Sequence, residues 1–223
     1  GIPICVMDCA WVTAMRTGAA TAVAAKYLAR SDSSSVGIVA CGVQGRGNLE
    51  ALSCIFNITK VKAFDMYPEL SKGFSKEMGE RLGLDIEPVA HLREAAESME
   101  IVVTSGPILK RPKPAIGRGW FSEGAFVCPL DFDSYLNGDA FREADKLVTD
   151  DLGQLRFYRE EGYFGDTPEC YADLGEIVSG SKPGRESDEE RIIAINLGLG
   201  LEDMVTAILV YQSAIDQGIG TML

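Results

Sequence analysis

The hydrophobic and polar positions set out a short strand, a long small-residue helix and then a regular alternation of strands and helices. Gly1–Ile2–Pro3–Ile4–Cys5–Val6–Met7–Asp8 reads as a strand. From Thr13 to Arg30 the chain is rich in alanine, the strongest helix former, and the polar run Ser31–Asp32–Ser33–Ser34–Ser35 ends that helix in a loop. Strands are then predicted at Val36–Ala40, Lys60–Phe64, Asp85–Val89, Ile101–Thr104, Ala125–Pro129, Lys146–Thr149 and Ile192–Asn196. Helices are predicted at Asn48–Phe56, Leu70–Leu82, Leu92–Ser98, Asp139–Ala144 and Tyr171–Val178, and a last one at Glu202–Gln217, which stops at Gly218. Strands alternating with helices imply right-handed crossovers, so the fold class is α/β with a doubly wound parallel sheet. The polar stretch from Gln154 to Glu190 gives little periodicity beyond that one helix.

Composition narrows the function classes. Hydrophobic residues make up 46% of 223, enough for a sizeable core. With 33 acidic against 21 basic residues the net charge is −12, which disfavours phosphate backbones and anionic lipid. Small metabolites or a partner protein are therefore expected, with no nucleic acid and no membrane. No apolar run approaches the ~20 residues of a helical membrane crossing, and no basic segment followed by an apolar run opens the chain. Six cysteines form no C-x-x-C pair, and most sit in apolar stretches, which fits a cytoplasmic protein. Cys5 and Cys9 lie four apart, but with a single histidine, His91, the chain offers little for a metal, and none is expected. His91 itself follows a strand, where a helix-capping or surface role is the ordinary one.

The chemistry concentrates in Val36-Gly37-Ile38-Val39-Ala40-Cys41-Gly42-Val43-Gln44-Gly45-Arg46-Gly47. A strand runs into a turn that holds Gly42 and Gly45, and a helix follows. This is the context of the Rossmann G-x-G-x-x-G fingerprint, with Ala40 in the first glycine's place. Gly42 has no Cβ to keep a pyrophosphate off the backbone, and the helix start offers free N–H groups to it. Asp65, at the end of the next strand, is placed to accept hydrogen bonds from adenosine ribose hydroxyls. Met66, Tyr67 and Pro68 follow it, with no arginine for a 2′-phosphate, so NAD(H) is favoured over NADP(H).

Several segments together resemble the ornithine cyclodeaminase/μ-crystallin family. They are Met7-Asp8, Thr13-Ala14-Met15-Arg16-Thr17-Gly18-Ala19-Ala20, Gly42-Val43-Gln44, Tyr171-Ala172-Asp173-Leu174-Gly175-Glu176-Ile177, Gly184-Arg185, Asn196-Leu197-Gly198-Leu199-Gly200-Leu201-Glu202-Asp203-Met204 and Gly218-Ile219-Gly220. The resemblance implies an NAD-dependent oxidoreductase or cyclodeaminase acting on an amino acid or its cyclic imine. It assigns Arg16 to the substrate carboxylate, which a planar guanidinium can hold bidentately. Asp131, in Phe126-Val127-Cys128-Pro129-Leu130-Asp131, takes the place of the acid/base carboxylate, with Asp133 as the competing residue two positions on. Relatives often read Gly-Gly-Asp or Gly-Ala-Asp there, whereas this chain has Pro129-Leu130 before the aspartate.

Cofactor contacts carried over by position are Thr17, Gly42, Val43, Gln44, Gly45, Asp65, Thr104, Ser105, Gly106, Leu130 and Asn196. Tyr135 stands where one relative has a lysine, so the resemblance implies that this contact is lost. It further implies a domain plan: residues 1–12 as a remnant strand of a substrate/dimerisation domain, 13–200 as the dinucleotide-binding domain with its leading helix, and 201–223 as a helix returning to the substrate domain. Family members carry more of that second domain ahead of this region, including a lysine and a second arginine for substrate. The chain is then expected to be a fragment, one chain of a two-chain enzyme or a shortened member, working as a homodimer or with a chain that carries the remainder. The alternative reading is a non-catalytic μ-crystallin-like protein that keeps the dinucleotide pocket.

Overall fold

The computed structural model describes residues 1–221. A parallel sheet of eight strands runs in the order β3-β2-β1-β4-β5-β8-β6-β7. The strands are β1 (Ser35–Val39), β2 (Lys60–Phe64), β3 (Ile86–Pro88), β4 (Ile101–Thr104), β5 (Phe126–Pro129), β6 (Lys146–Thr149), β7 (Ala172–Asp173) and β8 (Ile192–Ile195). The order reverses between β1 and β4, which pair in register from Val36 opposite Ile101 to Val39 opposite Thr104. At such a switch point the loops on the carboxyl ends of neighbouring strands part and leave a crevice.

Both faces of the sheet are covered, so the central strands read as continuous apolar runs. In β4, Ile101 and Val103 pack into one core with Ala24, Leu28, Leu49, Phe74 and Ile177. Val102 faces the other, with Ile116, Phe141, Leu155 and Phe164. The first core is roofed by α1 (Ala10–Leu28), α2 (Val43–Ser53), α3 (Pro68–Leu82) and α7 (Leu174–Val178). The second is roofed mainly by α5 (Gly138–Glu143) and α6 (Leu152–Glu160). The short α4 (Leu92–Ala96) follows β3, and the last helix is α8 (Gly200–Asp216).

Four local expectations are corrected. Residues 1–9 form no strand: no other strand pairs with them, and Ile2, Ile4 and Val6 stand exposed. Helix α2 starts at Val43, inside the glycine loop, rather than near Asn48. Residues Tyr171–Val178 divide into the two-residue β7 and α7, because Asp173 caps α7, accepting the Glu176 N–H at 2.8 Å. The polar segment after Asp151 contains α6, capped by Asp151 through the Gln154 N–H. Only Leu155 is fully buried along α6, which leaves almost no apolar period to detect.

Helix α1 lies across α2 at a contact made by glycines. A methyl group built on Gly18 would overlap the Gly47 carbonyl, and one built on Gly47 would stand 2.8 Å from the Ala14 oxygen. The small residues that make α1 look merely alanine-rich therefore let two backbones touch, and they set Arg16 and Thr17 beside the glycine loop. At the other end of the chain, α8 packs on α1 but buries none of its residues fully. Leu201, Met204, Val205, Ile208 and Leu209 form an open apolar stripe along it.

The crossing makes a signed prediction. Gly18→Ala should destabilise the chain by about 1–3 kcal/mol in urea unfolding, because the added carbon meets rigid backbone. Gly73→Ala, mid-helix in α3 with nothing within 4 Å of the new carbon, should stabilise it by about 0.5–1 kcal/mol. Equal stability of Gly18→Ala and the unsubstituted chain would contradict this packing.

Candidate active site

The glycine loop turns as the fingerprint requires, with one costly residue. Ala40 adopts φ +71°, a left-handed conformation that costs an alanine roughly 1–2 kcal/mol. Gly42 follows as the N-cap of α2, and a Cβ there would meet open space. Gly45 is buried beneath, where a Cβ would stand 2.6 Å from the Ala40 oxygen. The backbone of Gly42, Val43 and Gln44 thus fronts the crevice with the first-turn amides of α2, which have no intrahelical acceptor.

Asp65 is bound into this loop. Its Oδ2 accepts the Cys41 N–H at 2.8 Å and its Oδ1 the Tyr67 N–H at 3.0 Å. Arg46, which the sequence reading passed over, clasps the same turn. It donates to the Cys41 carbonyl and to the Gly42 carbonyl at 3.1 Å, while Glu77 of α3 takes its other side at 2.9 Å.

Inward from the loop lies a cavity of about 340 Å³. Its polar wall is Arg16, Thr17, Gln44, Asn196 and Glu202, with Ser105 and Gly106 at the end of β4 and Leu130 at the end of β5. Several of these groups are buried without partners among the described residues: Thr17 Oγ1, Gln44 Oε1 and both amide atoms of Asn196. Each unpaired buried group costs on the order of 1–3 kcal/mol, so four around one cavity mark a place made for a polar ligand.

Asp131 lies directly behind that wall and is 0% exposed. Its Oδ1 accepts the Thr104 hydroxyl at 2.8 Å and its Oδ2 the Gly106 N–H at 2.9 Å. Burial dominates these two bonds and pushes its carboxyl up to about 7. Thr104 is itself fully buried, so its hydroxyl serves Asp131 rather than the cavity. Asp133 points away and takes the Phe164 N–H at 2.8 Å. Tyr135 lies against Gly106, where a Cβ would stand 2.5 Å from its ring. His91 is exposed at the N-cap of α4 and does not line the cavity.

Arg16 is held from the start of α8. Its Nη1 lies 3.4 Å from Glu202 Oε2, and its Nε is 3.0 Å from Asp203 Oδ1, although the Nε–H is not aimed at that oxygen. Gly198, at φ +91°, lies flat against the guanidinium, since a Cβ there would stand 2.5 Å from Nη1. Asp150 fixes this glycine by accepting its N–H at 2.6 Å, and burial raises the Asp150 carboxyl.

The structure thus gathers Arg16, Thr17, Gln44, Ser105, Gly106, Leu130 and Asn196 around one cavity. Gly42, Val43 and Asp65 belong to the adjoining loop, and Gly45, Thr104 and Asp131 lie beneath. Sequence reasoning missed Glu202, Gly198 and Phe132 as part of the cavity wall. The first two sit in the Gly198–Met204 stretch, which carried a resemblance but no assigned chemistry.

Similarity to known proteins extends along the chain. The model of the ornithine cyclodeaminase/mu-crystallin family matches residues 1–218. Alanine dehydrogenase of Archaeoglobus fulgidus is 34% identical over 234 residues, covering 100% of this chain and 70% of its own. The solved Δ1-pyrroline-2-carboxylate reductase of Thermococcus litoralis, in complex with NADH and L-proline, is 36% identical with a TM-score of 0.87, over 100% of this chain and 71% of that one. An archaeal alanine dehydrogenase dimer with bound NAD is 32% identical with a TM-score of 0.86, over 100% and 70%. The chain belongs to the ornithine cyclodeaminase/mu-crystallin family.

Proposed function

We propose that the chain is the dinucleotide-binding part of an NAD-dependent oxidoreductase that acts on an α-amino acid or its imine. The observation that carries this reading is the cavity itself: unpartnered polar groups beside the start of α2, an arginine on its wall and a neutral-range carboxyl behind it. Relatives named alanine dehydrogenase and Δ1-pyrroline-2-carboxylate reductase, and solved neighbours holding NAD or NADH, support the same chemistry.

The residues fit a dinucleotide. The open Cα of Gly42 and the amides of Val43 and Gln44 would take the pyrophosphate, with Thr17 in reach of the same end of the cavity. Asp65 keeps lone pairs for ribose hydroxyls beyond the two amides it already accepts. Asn196, with both amide atoms unpaired, would meet the nicotinamide carboxamide, and Leu130, Ser105 and Gly106 would wall that end. A nicotinamide held there would supply hydride-transfer chemistry toward the substrate α-carbon. Arg16 holds the substrate carboxylate, and Asp131 takes the proton from the substrate nitrogen or returns it. The domain plan follows from the same reading. The apolar stripe of α8 and the exposed residues Ile2, Ile4 and Val6 would lie against a substrate/dimerisation region or a second copy.

Direct titration with NADH tests the reading: the unsubstituted chain should bind it, and failure to do so would refute the assignment. Arg16→Ala should leave NADH affinity nearly unchanged while raising KM for the amino or imino acid about a hundredfold, the size of a lost charge-assisted bond.

Asp131 gives a pH dependence. Reduction of an imine needs its acid form, so kcat/KM in that direction should fall above about pH 7, while oxidation should rise through the same range. Asp131→Asn should lower both by about 10²–10⁴-fold and abolish the inflection. Stability has a matching sign, because the fold favours the neutral carboxyl. This contribution is fully present below about pH 4 and is lost as pH rises through about 7. Urea unfolding at pH 5 and pH 8 should show a drop that is about 2 kcal/mol smaller in Asp131→Asn.

A further inference from the structure

The cavity presents two opposite charges side by side. Arg16 and Glu202 both line it, 3.4 Å apart, and both side chains are mostly buried. Among the described residues, every hydrogen bond to the Glu202 carboxylate falls on Oε2, which takes Arg16 Nη1 and the Leu199 N–H, each at 3.4 Å. Oε1 is left with no hydrogen-bond partner among those residues. On the other side, Arg16 Nε lies against Asp203 and Nη1 against Glu202, so Nη2 is the guanidinium nitrogen that faces neither carboxylate.

Resting on the proposed oxidoreductase reading, we infer that Glu202 is the cation-binding half of the substrate site, so that the cavity selects α-amino and α-imino acids as zwitterions over acids lacking a charged nitrogen. In such a substrate the carboxylate and the charged nitrogen sit on one carbon, a spacing that matches a guanidinium and a carboxylate in contact. Laid antiparallel to the Arg16–Glu202 pair, the substrate places its carboxylate on Nη2 and its N–H donors on Oε1. A 2-oxo acid would instead set a carbonyl oxygen against the Glu202 carboxylate, which is repulsive and discriminates by charge rather than by shape. The groups around Glu202 keep the interaction strong. Arg16 stands against it, and burial raises its carboxyl, a sign that little water shields it.

Calorimetric titration of the NADH-saturated chain tests this with two probes. L-proline carries a cationic nitrogen; pyrrole-2-carboxylate has a similar ring and carboxylate but no charge on nitrogen. The unsubstituted chain should bind L-proline at least about tenfold more tightly. Glu202→Gln keeps the side-chain oxygen that caps α8, and should weaken L-proline about tenfold while leaving pyrrole-2-carboxylate unchanged or tighter. Glu202→Asp should recover part of the loss. Equal weakening of both probes would mean that Glu202 acts only by holding Arg16, and would overturn the inference, as would no preference in the unsubstituted chain. Absence of NADH binding would strike the oxidoreductase reading itself and this inference with it, whereas NADH binding without probe selectivity would strike this inference alone.

Discussion

The contact between the backbones of α1 and α2 at Gly18 and Gly47 is the constraint on which the site depends. Helix α2 belongs to the dinucleotide loop, and its position is fixed by β1 and by Gly45 beneath Ala40. Helix α1 carries Arg16 and Thr17. Any side chain at the crossing would hold the two helices apart by the width of a methyl group or more, and would lift the arginine away from Gln44 and the cavity. The alanine-rich character of α1 has the same origin, since small residues are what a helix needs to approach another this closely while still covering the sheet with Ala24, Ala25 and Leu28.

Around that crossing, the site is built from carboxylates placed at different depths. Asp65 and Asp150 accept backbone N–H groups and fix the two loops that border the cavity. Asp131 is shut away, and desolvation outweighs its two hydrogen bonds, which brings its protonation into the neutral range. Glu202 and Asp203 sit further out, against Arg16. Carboxylates thus stand in three settings: bound to loop amides, desolvated beneath the cavity wall, and paired with a cation. Depth and partners separate the roles. A net charge of −12 says nothing of this division, because it counts the carboxylates without their surroundings.

Much of the fold was legible because buried parallel strands write themselves as apolar runs. Ile101–Thr104, Lys146–Thr149 and Lys60–Phe64 end where the sequence places them. The glycine loop was legible for the same reason that it works, since its steric demands admit few residues. The first strand was not, because an apolar run does not by itself bring a partner, and residues 1–9 pair with neither edge strand, β3 or β7. Helix α6 was hidden by having a single fully buried residue. The role of Arg16 was suggested by resemblance, but its embrace by Gly198, Glu202 and Asp203 joins positions about 180 residues apart, which no local pattern can reveal.

A crystal structure of the chain grown with NADH tests the central claim most directly. The account predicts the pyrophosphate over Gly42, Val43 and Gln44, the adenosine ribose at Asp65, and the nicotinamide in the cavity between Leu130 and Asn196, within reach of Arg16. A cofactor bound with its nicotinamide outside that cavity, or α1 displaced from its glycine contact when the cavity fills, would contradict it.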